Sequence, residues 1–189
     1  RKMIKTFSII ITLLFINSAF ATNQPWVTTE YPQDVEKLWW DDSWWEEGKL
    51  DSPQSYKVKM EQITYRSGDT EIPAYVFRPE KPGDYLPVLF QHGRRGLDDL
   101  TILAPKRLAA RGFIVLAPDV YSGRFIEPFP MEHDYTVDAD VANGIDALLK
   151  LPGIIGNQAC AVSHTRGGYM TLKALVTHNR QNDKVACFV

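Results

Sequence analysis

The sequence predicts an α/β protein: a mostly parallel sheet with helices on both faces, entered through an antiparallel hairpin. Three observations carry this. From residue 87 onward, short apolar runs alternate with stretches of helical period, and such alternation builds parallel strands joined by right-handed crossovers. Before residue 80 the period is two, with Gly68-Asp69 between two runs, the mark of a hairpin. The 189 residues are 44% hydrophobic and 23% charged, with 12 Gly and 12 Pro. That is an ordinary globular composition with many short connections, and it excludes collagen, low-complexity disorder and a disulfide-dense miniprotein.

The first residues are read as a targeting segment. Arg1, Lys2 and Lys5 precede an apolar stretch from Phe7 to Ile16, which is too short to span a bilayer. Ala19-Phe20-Ala21 has the small-x-small form of a cleavage site. Residues 1–21 are therefore expected to be a secretory signal peptide, and the length rule disfavours a membrane anchor. Arg1-Lys2 ahead of Met3 read as an upstream translated remnant. The expected location is secreted or periplasmic, with no stable membrane insertion after cleavage. Oxidising compartments permit disulfides, but Cys160 and Cys187 sit in apolar runs. They are expected to be buried free thiols on neighbouring strands, since free Cys behaves as a small hydrophobe.

Residues 22–55 form a Trp-rich, acidic extension centred on Trp39-Trp40-Asp41-Asp42-Ser43-Trp44-Trp45. An aromatic platform for sugar or peptide competes here with a cap whose Trp faces dock on the domain. The second is favoured because large aromatics usually serve burial. The domain proper is expected over 56–189. Val58 to Arg66 alternates with two mixed faces, and Ile72 to Phe77 is the second strand of the hairpin, closed by Arg78-Pro79. Pro87-Val88-Leu89-Phe90 suits a strand buried on both faces. Asp98 or Asp99 can cap a helix to Arg111 with Leu100, Leu103, Ala104 and Leu108 inward; Pro105 should kink it or mark its true start. Gly112 fits the left-handed stop, and Phe113 to Ala117 is the next strand.

Val141, Ala142, Ile145, Leu148 and Leu149 fall at helical spacing, with Asp138 and Asp140 in the first turn, where the helix dipole favours acids. Ala159–Ser163 reads as a strand, residues 166–178 as a helix, and Val185–Val189 as a further strand. That last apolar strand wants partners on both sides. The expectation is therefore a domain C-terminally incomplete after its sixth strand.

In an open α/β sheet, sites form at the carboxyl ends of the strands. Two loops qualify: His92-Gly93-Arg94-Arg95-Gly96 and Ser163-His164-Thr165-Arg166-Gly167-Gly168. The second has the frame of a nucleophile elbow, in which a tight strand-to-helix turn lifts one side chain above the sheet. Small residues are needed two positions either side, here Ser163 and Gly167, which places Thr165 at the nucleophile position. The backbone N–H of Arg166 would meet a developing oxyanion at the helix N-terminus, with a second N–H from Gly93 or Arg94.

With these pieces in order, the chain from about 57 to 189 resembles the α/β-hydrolase family. The hairpin, Leu86 to Gly93, Gly112 to Asp119 and His164-Thr165-Arg166-Gly167-Gly168 carry the likeness. Two branches fit. The His92 to Leu97 spacing and Pro118-Asp119-Val120-Tyr121 resemble dienelactone hydrolases; His-Gly followed by Arg, and Arg-Gly-Gly after the elbow, resemble prolyl-oligopeptidase-type peptidases. The resemblance implies hydrolysis of an ester or peptide bond by acyl transfer, with Thr165 standing where the family usually has Ser. It also implies a triad acid and His beyond Val189, after the nucleophile in chain order. The alternative is a catalytically inactive or truncated pseudoenzyme that keeps a ligand cleft. The β-branch of Thr165 adds strain and restricts χ1 at the elbow.

Other polar residues have quieter readings. His164 adjoins Thr165 but points elsewhere, His92 orders its loop, His133 and His178 are surface residues, and Asp119 caps a loop or touches substrate. Ser163 packs at a strand end. No dinucleotide fingerprint, Walker A loop, zinc-protease helix or cysteine pair at zinc spacing occurs, so no cofactor or metal is expected. The net charge of −2, with no Lys/Arg run, argues against a nucleic-acid partner. A small-molecule ester or a peptide is the expected partner.

Overall fold

A computed structural model describes residues 56–132 and 137–189. The leader, the Trp-rich extension and His133 lie outside the described residues. Strands β1 (Val58–Ser67) and β2 (Thr70–Pro79) form the hairpin, paired from Val58↔Pro79 to Ser67↔Thr70. Gly68, at φ 59°, supplies the positive φ that a two-residue turn demands. The chain continues through β3 (Leu86–Gln91), α1 (Leu103–Ala110), β4 (Phe113–Pro118), α2 (Val120–Arg124), α3 (Asp138–Leu148), β5 (Ala159–Ser163), α4 (Arg166–Thr177) and β6 (Val185–Phe188).

The strand order is β1-β2-β4-β3-β5-β6. β1, β2 and β4 pair antiparallel, and β4, β3, β5 and β6 pair parallel. The expected α/β class, with its entry hairpin and parallel sheet, is the observed one. The central strands bury both faces, as continuous apolar runs should. Leu89, Ile114, Leu116 and Ala161 share one core with Val141, Ile145 and Leu148 of α3 and Met170 and Ala174 of α4. Val88, Phe90, Val115 and Ala117 share the other with Ile102 and Ala109 beside and in α1. Thus β3 feeds a helix on one face, while its neighbour β5 feeds a helix on the other. That is the topological switch point, where a crevice opens at the carboxyl ends of two adjacent strands.

Several local expectations change. Helix α1 starts at Leu103, because Asp98 spends its carboxylate on the preceding turn, accepting from the Thr101 N–H at 2.8 Å. Pro105 thus falls in the first turn, where its missing N–H costs nothing. Of the expected inward face, Leu103 is buried and Leu108 packs against the core, whereas Ala104 is exposed; Ile102, Pro105 and Ala109 are buried beside them. Helix α2 is too short to show a period in the sequence. Asp119 caps it, accepting from the Ser122 N–H at 3.1 Å and the Ser122 hydroxyl at 2.6 Å.

The acids of α3 do more than face a dipole. Asp140 is fully buried and takes a bidentate pair from Arg124, 2.8 Å from Nε and 2.7 Å from Nη2. Arg124 also donates to Thr70 Oγ1 at 2.8 Å, and the Tyr65 hydroxyl donates to the Asp140 carbonyl at 2.7 Å. Hairpin, α2 and α3 are thereby tied at one point. Asp138 accepts from Lys173 at 3.1 Å and pairs with His178 at 3.0 Å on α4. Burial opposes its charge, but these two hydrogen bonds outweigh it and hold its pKa below the usual value.

The two cysteines correct the sequence expectation: Cys160 and Cys187 form a disulfide. They are register partners on parallel β5 and β6, with Cα atoms 4.6 Å apart, inside the range a disulfide spans. Cys187 is exposed and Cys160 half-buried, so neither is the sequestered apolar thiol that their neighbours suggested.

Candidate active site

Strand β5 ends at Ser163, and α4 begins three residues later. Between them Thr165 has φ 51° and ψ −117°, a region that a β-branched residue enters only at a cost of about 1–3 kcal/mol. The backbone reverses sharply here. The Gly167 N–H donates to the His164 carbonyl at 2.9 Å and the Gly168 N–H to the Thr165 carbonyl at 3.0 Å. Thr165 stands exposed at the N-terminal end of α4, with its hydroxyl uncommitted to capping.

Two glycines let the β3 and β5 loops close on each other. A Cβ on Gly167 would lie 2.5 Å from the His92 carbonyl oxygen and 2.6 Å from that of Gln91. A Cβ on Gly93 would overlap the Thr165 hydroxyl and lie 2.6 Å from the His164 carbonyl oxygen. The His164 N–H donates to the Gln91 carbonyl at 3.0 Å. The structure therefore brings Gly93, Thr165 and Arg166 into one place, as the spacing suggested.

The orientation of the first loop follows from His92. Its ring is fully buried, edge-on to Tyr121 at 4.7 Å between centroids, and its Nδ1 lies 2.8 Å from the Gly93 carbonyl. A carbonyl only accepts, so Nδ1 carries the proton. Burial pushes the His92 pKa down, which keeps the ring neutral. The Gly93 carbonyl also accepts from the Gly96 N–H at 3.1 Å. In a trans peptide C=O and N–H point opposite ways, so this pinned carbonyl turns the Arg94 N–H the other way. Neither that N–H nor the Arg166 N–H at the first helical position enters a backbone hydrogen bond among the described residues.

Among the described residues, the Thr165 hydroxyl has no hydrogen-bonded base. The one His–carboxylate pair among them is His178–Asp138. His178 lies at the far end of α4, about 20 Å along the helix by its rise per residue. Ser163 donates to the Thr171 hydroxyl at 2.8 Å and serves packing. Asp119 caps α2, and so the structure supports its loop-capping reading.

A segment with no regular period in the sequence, residues 125–132, runs beside these residues as a strap. The Phe129 N–H donates to the Arg94 carbonyl at 2.6 Å, and Arg166 Nη1 donates to the carbonyls of Pro130 at 2.9 Å and Glu132 at 3.1 Å. The guanidinium carbons of Arg94 and Arg95 lie 5.7 and 5.6 Å from the Phe129 ring centroid, within cation–π range. The available signal was Phe125, Phe129 and Met131 standing apolar among Pro128 and Pro130, without either regular period.

Residues 72–172 match the sequence model of the dienelactone hydrolase family. The fold is similar to solved α/β-hydrolases. One is a dienelactone hydrolase-like promiscuous phosphotriesterase from metagenomic libraries (24% identity, TM-score 0.55, covering 64% of this chain and 54% of that one). Another is the esterase Est22 (18%, TM-score 0.54, covering 66% and 41%). A third is an esterase of Pyrobaculum calidifontis (17%, TM-score 0.55, covering 69% and 43%). The chain thus spans about half the length of the solved structures it matches. No curated protein matches it in sequence.

Proposed function

The chain belongs to the dienelactone hydrolase family, and from that premise we propose that it hydrolyses small-molecule esters by acyl transfer through Thr165. The observation that carries this is the elbow itself: an exposed hydroxyl held at φ 51° against Gly93, beside two uncommitted backbone N–H groups. Thr165 Oγ1 attacks the ester carbonyl. The developing oxyanion is met by the N–H groups of Arg94 and Arg166, which are positioned before the charge forms. Gly93 contributes by carrying no side chain where the hydroxyl must sit. The C–O bond to the alcohol then breaks, the alcohol leaving with the proton taken from Thr165; water then attacks the Thr165 ester, its hydroxide going to the acid and its proton back to the Thr165 oxygen. The hydroxyl proton needs a base, which we assign to the whole protein, since this chain spans about half its relatives' length.

A second reading is favoured by a specific observation: Thr165 has no histidine or carboxylate bonded to it among the described residues. On that reading the chain is a non-catalytic relative that keeps the cleft. Without a complete triad, only roughly 10³–10⁴-fold acceleration over water survives, from oxyanion stabilisation and binding.

Hydrolysis of 4-nitrophenyl esters by the full-length protein decides between them. We expect turnover that Thr165→Ala abolishes and Thr165→Ser raises about tenfold or more by removing the methyl from the attack path. Turnover unchanged in Thr165→Ala sinks the nucleophile assignment, and no turnover in either the parent or Thr165→Ser favours the non-catalytic reading. A peptide 4-nitroanilide run alongside tests the peptidase branch, which the family match does not favour.

We further propose that the protein matures in an oxidising compartment, secreted or periplasmic. The leader-like residues 1–21 and the Cys160–Cys187 bridge support this independently of each other.

A further inference from the structure

We propose that the strap from Phe125 to Glu132 is the substrate-selecting wall of the cleft, and that it favours esters bearing an extended alkyl or aryl group over short ones. This rests on the hydrolase reading above, which supplies both the ester and the oxyanion role of Arg94 and Arg166.

Three observations converge on the strap. Phe125 is 95% exposed, Met131 89% and Phe129 51%, a dense run of wet apolar side chains. Such clusters mark places where an apolar partner is received. Phe125 and Phe129 have φ of 56° and 58°, and a bulky residue holds that conformation only where its surroundings over-determine it. The restraints here are specific. The Ile126 N–H donates to the Tyr121 carbonyl at 2.9 Å, the Phe129 N–H to the Arg94 carbonyl at 2.6 Å, and Arg166 grips the carbonyls of Pro130 and Glu132.

Arg94 and Arg166 are the two residues whose N–H groups the hydrolase reading assigns to the oxyanion. The strap backbone is anchored to both of them, which puts its exposed apolar side chains beside the elbow. Arg166 acts here as a positioning residue through its side chain. The occupant we assign is the non-reacting hydrocarbon part of the ester, on either its acyl or its alkoxy side. Each methylene fully withdrawn from water strengthens binding about fourfold.

The test measures binding apart from turnover. Thr165→Ala protein, full chain, is titrated calorimetrically with 4-nitrophenyl acetate and hexanoate for the acyl side. Ethyl and hexyl acetate serve for the alkoxy side. We expect the longer member of at least one pair to bind ten times more tightly or better. A Phe125→Ser/Met131→Ser double variant, altered only at exposed positions, should remove most of that preference and leave the short esters and the melting temperature unchanged. Equal binding of long and short members in both pairs overturns the proposal, as does a preference that survives the double variant. A double variant that turns a dimer into a monomer with ester binding unaltered also overturns it, by making the patch a self-association surface. If the chain-length preference holds while the parent protein turns over no ester, the hydrolase reading fails and the wall stands.

Discussion

Glycine 167 is the residue on which the elbow depends. The carbonyls facing it, from Gln91 and His92, are backbone atoms of a central strand and the loop after it, and cannot swing aside. Gly167→Ala should therefore destabilise the fold by about 1–3 kcal/mol, the usual cost of overpacking, measured by denaturant unfolding. Gly93→Ala meets a backbone obstacle of the same kind, the His164 carbonyl oxygen at 2.6 Å, and overlaps the Thr165 hydroxyl as well. Its expected signature is therefore double: a stability loss of about 1–3 kcal/mol and a loss of esterase kcat on the order of a hundredfold, comparable to losing one oxyanion donor. Unchanged kcat in folded Gly93→Ala protein would show that the Thr165 hydroxyl does not work from the position it holds beside Gly93. His92 adds a pH dependence. Its folded pKa is lowered by burial, so below about pH 6.5 the unfolded chain binds a proton that the native one refuses. Stability should fall as pH drops through that value, and His92→Gln should flatten this part of the curve. These roles were only partly legible beforehand. The small-x-nucleophile-x-Gly spacing pointed to Thr165, but that His92 orients a neighbouring peptide through Nδ1 depends on three-dimensional packing.

Helices and strands are tied by a few charged contacts that no pattern revealed. Asp140 was read as an acid favoured by a helix dipole, yet it is fully buried against Arg124. Removing one member of a buried pair leaves the other uncompensated. Arg124→Ala should therefore cost about 3–5 kcal/mol, and Arg124→Lys, which loses the bidentate geometry, an intermediate amount, both read from chemical unfolding. An effect below about 1 kcal/mol for Arg124→Ala would show that water reaches Asp140. The periodicity of α3 did identify Val141, Ala142, Ile145 and Leu148 as its core face, because they repeat at helical spacing. For α1 the spacing finds Leu103 and Leu108 on the core side but also puts Ala104 there, which is exposed; the helix starts later than expected because Asp98 caps the turn before it. Capping alternatives of this kind are local choices between near-equal hydrogen bonds, and a sequence does not rank them.

At the scale of the whole molecule, the last described strand of the sheet, β6, is held by its pairing to β5 and by the Cys160–Cys187 bridge. The bridge closes a loop of sequence separation 27, for which chain-entropy arguments give about 3–4 kcal/mol. Reduction with a dithiol, or Cys187→Ser, should lower the melting temperature by about 10 °C. An unchanged melting temperature would show that β6 is held without the bridge. Free-thiol titration of protein recovered from the periplasm or medium should find no reactive cysteine, and two thiols per chain would count against the oxidising compartment. The α/β class, the hairpin and the elbow position were determined by the sequence alone, because hydrophobic period, Gly-Asp and the small residues around Thr165 act over a few neighbouring positions. The tertiary structure alone decided that Cys160 meets Cys187, that Arg124 neutralises Asp140, and that Phe129, Pro130 and Glu132 of the strap bridge Arg94 to Arg166. Each of these joins residues from separate elements, and which side chains meet across a sheet depends on strand order and register, which local period does not encode.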